Sequence, residues 1–125
     1  MSSVGALFVK DGALFVPTGL GASPWQSKAH GGVALGGLVA HVLEQVPSPA
    51  PMQVVRITLD ILGAIPLEPL ATAIRIVREG KRVQLVEIDF TVAGKIWLRA
   101  SALRMRMQVT PAHIAPMPHP YPDAA

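Results

Sequence analysis

The sequence predicts an α+β domain in which a strongly curved antiparallel sheet wraps around one central helix. A stretch without Asp, Glu, Lys or Arg covers residues 29–43 and has the length of a helix. From Met52 onward, apolar residues recur with the period of two that is typical of strands. Half of the 125 residues are hydrophobic and only 15% are charged, which indicates a large core within one domain.

The first predicted element is a β-hairpin. Two short apolar runs, residues 6–9 and 13–16, flank the sequence Lys10-Asp11-Gly12. An Asp-Gly pair between such runs is a strong hairpin signal. Residues 17–28 are rich in Gly, Pro and Ser, so we expect a loop there.

The helix is expected to begin after this loop, with Ser27 as the N-cap on the basis of residue type. Residues 46–51 contain three prolines and are expected to end it. The apolar side chains of the helix are spread around the whole helical wheel. We therefore expect protein to cover the helix on every side.

Four longer strands are predicted in residues 53–67, 69–79, 83–92 and 96–107, and their order indicates an antiparallel meander. The odd-numbered apolar residues of the first of these strands are expected on one face; they are Val55, Ile57, Leu59 and Ile61. A single curved sheet around one helix is the hotdog fold. Residues 110–125 contain five prolines and predict a tail or linker, so the hotdog domain is expected in residues 1–109.

Composition argues against several functional classes. The chain has no cysteine, which excludes disulfides, a thiolate nucleophile and a zinc–thiolate site and predicts a cytoplasmic location. The uncharged stretch is shorter than the roughly 20 residues that span a bilayer, and the sequence does not begin like a signal peptide. The net charge of +3 comes from basic residues on predicted strands without interleaved aromatic residues, so we expect no nucleic-acid or membrane partner.

Residues 15–107 resemble the acyl-CoA thioesterase-like hotdog proteins, and specifically the N-terminal half of the double-hotdog, thioesterase II-like proteins. The resemblance is carried by the order and spacing of four segments: FVPTGLGASPW, HGG, PMQVVRITLDILGAIPLEPL and RIVREGKRVQLVEIDFTVAGKIWLRASALR. It implies an acyl-CoA or other acyl thioester as ligand. It also implies no cofactor apart from the coenzyme A that forms part of the substrate.

The resemblance implies that His30, Gly31 and Gly32 form the oxyanion region at the start of the helix. Free backbone N–H groups and the positive end of the helix dipole would stabilise the developing charge on a thioester carbonyl there. A structural interpretation stays open beside this one. The glycines would then be small because the helix start passes close to the sheet, and His30 would cap or hydrogen-bond a loop.

The residue that activates water is missing from its usual place. In single-domain relatives with this motif, an acid commonly lies nine residues after the motif histidine, and here that position is Val39. In double-hotdog thioesterases, the resemblance places the polar catalytic set mainly in the C-terminal hotdog. We therefore expect hydrolysis to free acid and CoA to need a partner hotdog. The alternative is a non-catalytic acyl-CoA or acyl-carrier binding or scaffolding subunit.

Further ligand contacts are predicted outside the helix. Arg78, Lys81 and Arg82 flank a turn that would hold CoA phosphates, with a solvated basic turn as the alternative. Trp25 would line an acyl or pantetheine channel, or else pack as a hydrophobic staple.

The carboxylates on the predicted strands are weaker candidates. Asp60 shares a strand face with Arg56 and Thr58, where it has a catalytic role or belongs to a cross-strand network. Glu87 and Asp89 share another face. We expect both to be solvent-exposed rather than paired for acid–base chemistry.

No metal site is predicted. His30 and His41 would lie about 16 Å apart along the helix axis. His113 and His119 have no acid or cysteine at ligand spacing.

A single hotdog leaves an open sheet edge and uncovered apolar surface, so the chain is expected to form at least a dimer. The partner would be a second copy or a separate hotdog domain.

Overall fold

A computed structural model of the chain describes residues 5–109, Ala112 and Pro116. His113, His119 and most of the predicted tail therefore lie outside the described residues. The division of the chain at residue 109 stays a prediction.

The described residues form one α-helix and six strands. The helix α1 spans Gly32–Glu44, and the strands are β1 Phe8–Asp11, β2 Leu14–Pro17, β3 Met52–Ile61, β4 Leu70–Glu79, β5 Val83–Val92 and β6 Lys95–Arg106. All paired strands are antiparallel, and their order in the sheet is β1-β2-β4-β5-β6-β3. The predicted α+β architecture of one helix against one antiparallel sheet is confirmed.

Two tight turns in the sheet depend on left-handed backbone. Between β1 and β2, Gly12 has a φ of 57° at the first position of a two-residue turn, which suits a type II′ hairpin. Between β5 and β6, Ala93 and Gly94 have φ values of 47° and 82°, as a type I′ turn requires. The hairpin predicted at the start of the chain is confirmed, although its strands begin slightly later than expected.

The predicted meander is only partly right. β4, β5 and β6 are neighbours in the sheet, but β3 pairs with β6 at the far edge. β3 ends at Ile61, and residues 62–69 cross to β4 instead of continuing the strand. This crossing segment contains two prolines, which are unfavourable within a strand, and its Ile65 carbonyl accepts a hydrogen bond from the residues before α1.

One face of α1 packs on the centre of the sheet. The buried core contains Leu35, Leu38, Val39, Val42 and Leu43 from the helix, and Val86, Ile88, Phe90, Leu98, Ala100 and Ala102 from β5 and β6. Complete burial of one large apolar side chain stabilises a fold by roughly 1.5–3 kcal/mol. This packing fixes the direction of the helix across the sheet.

The opposite face of α1 is not covered by the described residues, contrary to the prediction. Val33 is 91% exposed, and Gly37, His41 and Glu44 are exposed as well. The reason is geometric, because the sheet contacts the helix from one side and the described loops reach only its first turn.

β3 forms one open edge of the sheet and contains a bulge. The register passes from Val54 opposite Arg104 to Arg56 opposite Leu103, so Val55 has no partner. The bulge changes the alternation of the strand: Val54 packs against the core, whereas Val55 is 44% exposed.

A polar network fastens the chain just beyond the end of α1. The buried Arg104 guanidinium donates from Nη1 to the Val46 carbonyl and to Gln84 Oε1, each at 2.9 Å. Gln84 Nε2 donates in turn to the Pro47 carbonyl at 3.0 Å. A cation at the C-terminal end of a helix also interacts favourably with the helix dipole.

Candidate functional site

Two loops hold the start of α1. The His30 N–H donates to the Ile65 carbonyl at 2.9 Å, and the Gly31 N–H donates to the Gly21 carbonyl at 2.8 Å. These bonds keep the backbone extended up to Gly31, which is the N-cap. The predicted N-cap, Ser27, is wrong because it lies in the loop before these two anchored residues.

Gly31 and Gly32 face different surroundings. A Cβ on Gly31 would lie 3.2 Å from the Ala22 carbonyl oxygen and 3.3 Å from that of Gly21. A Cβ on Gly32 would meet no atom within 4 Å. Close packing therefore accounts for Gly31, although against a loop rather than the sheet, whereas the space beside Gly32 is open.

Three N–H groups in the first turn of α1 have no acceptor among the described residues. They belong to Gly32, Val33 and Ala34, because the first helical bond runs from the Leu35 N–H to the Gly31 carbonyl. The N-cap Gly31 has no side chain that could accept from them. Gly32 and Val33 are also exposed. Such a helix start has a partial positive charge and attracts anionic oxygen atoms.

The His30 side chain lies beneath this helix start. It is 6% exposed, stacks on Phe8 with ring centroids 5.6 Å apart, and has Nε2 3.0 Å from the Glu68 carbonyl oxygen. Since a carbonyl only accepts, Nε2 is the protonated nitrogen. Nδ1 is then an acceptor, and it has no partner among the described residues. Burial lowers the pKa of His30, with the Glu68 hydrogen bond opposing the shift in part.

The helix does not bring an acid to its open end. Val39, at the position where related single-domain proteins place the acid, is 0% exposed within the core. Glu44 is the last helical residue, about 18 Å along the axis from Gly32. A water-activating carboxylate is therefore not supplied by α1 itself.

Asp60 lies on the face of the sheet that points away from α1. It is in register with Arg99 on β6, which is opposite Asp89 on β5. These three residues line one small cavity on this outer face. The structure thus places Asp60 apart from His30, with the sheet between them.

Asp89 is buried, contrary to the prediction that it is solvent-exposed. Its side chain is 9% exposed and accepts hydrogen bonds from Arg75 at 2.9 Å and Arg99 at 3.2 Å. Arg75 also contacts Glu87 at 3.1 Å. The hydrogen bond from Arg75 is the main cause that lowers the pKa of Asp89. The cross-strand network that was one alternative for this face is therefore centred on Asp89.

The predicted phosphate-binding residues lie at the other end of the domain. Arg78, Lys81 and Arg82 are exposed around the turn between β4 and β5. The HGG residues lie near the first residue of β4, whereas the basic turn follows its last residue. A strand of ten residues is about 30 Å long, so the two regions are separated by about this distance. Within one chain, the basic turn and the helix start do not form a joint site.

Trp25 lies in the loop before α1 with 89% of its surface exposed, so it does not pack as a hydrophobic staple. It lines a cavity of about 490 Å³ together with Lys28, Ala29 and Pro66. Sequence analysis did not single out Lys28. The one signal in the sequence was that Lys28 lies two residues before His30 and so brings a positive charge close to the candidate site.

The part of the chain that the structure describes was compared with the requirements of a metal site and of a membrane-spanning helix. There, no three His, Asp or Glu side chains come together in a group that could hold a metal ion. No helix in the same part is long and apolar enough to cross a bilayer.

The rolled antiparallel sheet with a helix across its inner face places the chain in the class of hotdog domains. Residues 21–105 match the family model of the acyl-CoA thioesterase N-terminal domain, which is more than half of the chain. The chain therefore belongs to the acyl-CoA thioesterase N-terminal domain family.

Solved structures agree with this fold. A hot dog fold protein of unknown function from Alicyclobacillus acidocaldarius is 16% identical with a TM-score of 0.65, and the match covers 93% of this chain and 44% of that one. A Thermobifida fusca protein described as a thioesterase II is 16% identical with a TM-score of 0.64, covering 92% of this chain and 43% of that one. The present chain thus spans less than half the length of both proteins.

A third structure, a Bacillus halodurans protein determined with CoA, is 16% identical with a TM-score of 0.63. The match covers 78% of this chain and 67% of that one. No curated protein matches the chain.

Proposed function

We propose that this chain binds an acyl-CoA thioester at the start of α1 and that a partner hotdog domain is needed for its hydrolysis. The observation that carries the proposal is the open first turn. Among the described residues, the N–H groups of Gly32 and Val33 have no acceptor, and no atom fills the space beside Gly32. Membership of the acyl-CoA thioesterase family supports a thioester carbonyl as the group that binds there.

The proposed role of the N–H groups is to stabilise an oxyanion. When water attacks the carbonyl carbon, the carbonyl oxygen becomes negatively charged, and the Gly32 and Val33 N–H groups would donate to it. Collapse of this intermediate breaks the carbon–sulfur bond and releases the CoA thiolate and the free acid. The base that takes a proton from water would come from the partner domain, since α1 has Val39 in the usual position.

The open edge at β3 supports assembly with such a partner. β3 has a hydrogen-bonded neighbour only on its β6 side within the described residues. Beside this edge, Ile57 and Ile61 are 39% and 48% exposed on the same face as α1. An edge strand with half-exposed apolar residues favours sheet extension by another chain.

Antiparallel pairing of two β3 strands has a further consequence. A two-fold axis perpendicular to the sheet keeps both helices on one face but reverses their direction. The HGG end of one copy then lies at the same end of the assembly as the basic turn of the other. We therefore assign the CoA phosphates to Arg78, Lys81 and Arg82 of the opposite copy, while Trp25 and Lys28 come from the copy that binds the thioester.

Release of CoA from a panel of acyl-CoAs tests the catalytic proposal. The purified chain is assayed alone and after addition of any hotdog protein encoded beside it, with sedimentation velocity to record the assembly state. Turnover only with the partner is the expected result. Turnover by a monomer would contradict both the partner requirement and the assigned position of the base.

The amide donor is tested by a pair of substitutions at one residue. Gly32→Pro removes the N–H at the first helical position, where proline is well tolerated, and the extended Gly31 backbone, with ψ of 139°, suits a following proline. Gly32→Ala retains the N–H. Loss of one oxyanion donor costs about 100-fold to 1,000-fold in turnover. We expect this loss in Gly32→Pro with unchanged far-UV circular dichroism; similar turnover in both variants would exclude the donor role.

The second candidate is a binding or scaffolding subunit without hydrolytic activity. The burial of Val39 in place of an acid favours it, because the chain would then need only affinity for the thioester. Saturable binding of acyl-CoA, followed through fluorescence of the exposed Trp25 with Trp25→Phe as control, and no CoA release with any partner would select this candidate.

A further inference from the structure

A groove separate from the helix start runs between the β1–β2 hairpin and α1. β2 pairs with β4 at only two positions, Phe15 with Leu70 and Leu14 with Ala71. Beyond them, the hairpin leaves β4 and opens a gap over Thr72. Two cavities occupy this gap, with volumes of about 400 and 380 Å³. We call them together the hairpin groove.

The floor of the hairpin groove is apolar and well packed. Phe15, Leu38 and Val42 line it and are each at least nine-tenths buried. Leu7 and Ile74 form its outer walls and are 41% and 46% exposed. Each cavity has the size of a typical small-molecule site, which is roughly 300–1,000 Å³.

Lys10 and His41 both lie beside the ring of Phe15, where the cavities join. Lys10, Phe15 and His41 are the residues that line both cavities. The Lys10 Nζ lies 5.8 Å from the centre of the Phe15 ring, and the His41 ring meets the same ring edge-on at 6.2 Å. Among the described residues, no Asp or Glu lines the groove, and Lys10 has no ion pair.

The geometry points to a ligand with one alkyl chain and one carboxylate: the hairpin groove binds a free fatty acid, with the carboxylate at Lys10 and His41. The apolar floor excludes water from the alkyl chain, the Lys10 ammonium complements a single negative charge, and the His41 ring offers an N–H donor beside it. This site is distinct from the thioester site at the start of α1, although Phe8 lines one of its cavities and stacks on His30 beneath that start.

Gly37 provides a direct test of this position. It lines the groove, and a Cβ there would meet no protein atom within 4 Å. Gly37→Leu should therefore fill the groove without disturbing the fold. Gly36 is the matched control, because it has the same free space, belongs to the same helix and does not line the groove.

The experiment measures dodecanoate binding to the full chain by isothermal titration calorimetry. We expect one site per chain, at least tenfold weaker binding in Gly37→Leu, and an unchanged affinity in Gly36→Leu. Equal affinities in wild type and Gly37→Leu would overturn the proposal, and so would a loss confined to Gly36→Leu. A change of oligomeric state in Gly37→Leu would identify the groove as a protein interface and overturn it as well.

The carboxylate contact is tested by charge. Lys10→Gln should weaken dodecanoate binding about tenfold, whereas Lys95→Gln, which removes the same charge beside Trp97, should not. Dodecanol, which lacks the charge, should bind at least tenfold more weakly than dodecanoate. Equal binding of the alcohol and the acid would refute the assigned head-group site. Because no thioester is used, failure here leaves the proposed function untouched.

Discussion

The two ends of α1 differ in how their backbone groups are satisfied. At the C-terminal end, the Val42 and Leu43 carbonyl groups accept hydrogen bonds from the next backbone N–H groups of the chain. Just beyond this end, the buried Arg104 and Gln84 side chains bind the carbonyl groups of Val46 and Pro47. At the N-terminal end, three N–H groups have no acceptor among the described residues, and the N-cap is a glycine. A glycine N-cap costs only about a few tenths of a kcal/mol relative to a Ser or Asp cap, but it leaves these N–H groups free to bind another acceptor.

This difference separates a structural end from an end that is available for binding. The anchored C-terminal end fixes the helix against the sheet, so that the N-terminal end is held in place without a cap of its own. The loops that contact this end bind the N–H groups of His30 and Gly31 but not those of Gly32 and Val33. The contrast predicts that substitutions at the anchored end, or at Gly31 where the loops contact the helix, change stability, whereas substitutions at Gly32 change binding.

The largest expected effect is at the anchored end. Arg104→Met removes a buried guanidinium and leaves the Val46 carbonyl and Gln84 without their donor, which should lower the free energy of unfolding by about 3 kcal/mol. Urea unfolding measures the change. Arg106→Met, at an exposed position two residues later, is the control and should stay within about 0.5 kcal/mol of wild type. A loss below 1 kcal/mol for Arg104→Met would remove the contrast between the two ends.

Sequence periodicity predicted the helix and the strands because it reflects which face of each element is buried, a local property. It could not predict that β3 pairs with β6, since that pairing joins residues from 37 (Ile61 with Leu98) to 54 (Met52 with Arg106) positions apart. The bulge at Val55 was also missed, because one unpaired residue leaves the composition of the strand unchanged. Short-range patterns thus indicated the elements, while long-range pairing decided their order.

The same limit applies to the charged residues. Asp89 was predicted to be solvent-exposed and Arg104 was not singled out, yet both are buried against partners from other strands. The HGG segment was singled out as the candidate site from resemblance. The sequence could not show that Gly31 and Gly32 have different surroundings, because the difference arises from residues 21 and 22, which pack against Gly31 only.

The second prediction compares these adjacent glycines. Gly31→Ala forces a methyl group against two backbone carbonyls and should destabilise the fold by about 2 kcal/mol. Gly32→Ala meets no atom and replaces glycine in a helix, so it should be neutral or stabilising by up to about 1 kcal/mol. Thermal unfolding of the two variants side by side provides the measurement. Equal losses would show that close packing explains both glycines and that the end beside Gly32 is not open.

The smallest expected effect concerns pH. Burial lowers the pKa of His30 below its ordinary value of 6.5, so the folded state favours the neutral ring. Below pH 6.5, the unfolded chain takes up this proton more readily than the folded chain. The free energy of unfolding therefore decreases as the pH is lowered from 6.5 to the pKa of His30 in the folded state. Above pH 6.5, this contribution is fully present.

The measurement is the difference in Tm between pH 7.5 and pH 5.5. His30→Gln keeps an N–H donor for the Glu68 carbonyl but does not titrate, so its Tm should fall less than that of wild type, by on the order of 2 to 4 °C. Asp89, whose pKa is lowered from 3.8, contributes only in more acidic solution and does not affect this range. If the Tm of His30→Gln and that of wild type decrease by the same amount, burial does not keep the His30 ring neutral in the folded protein.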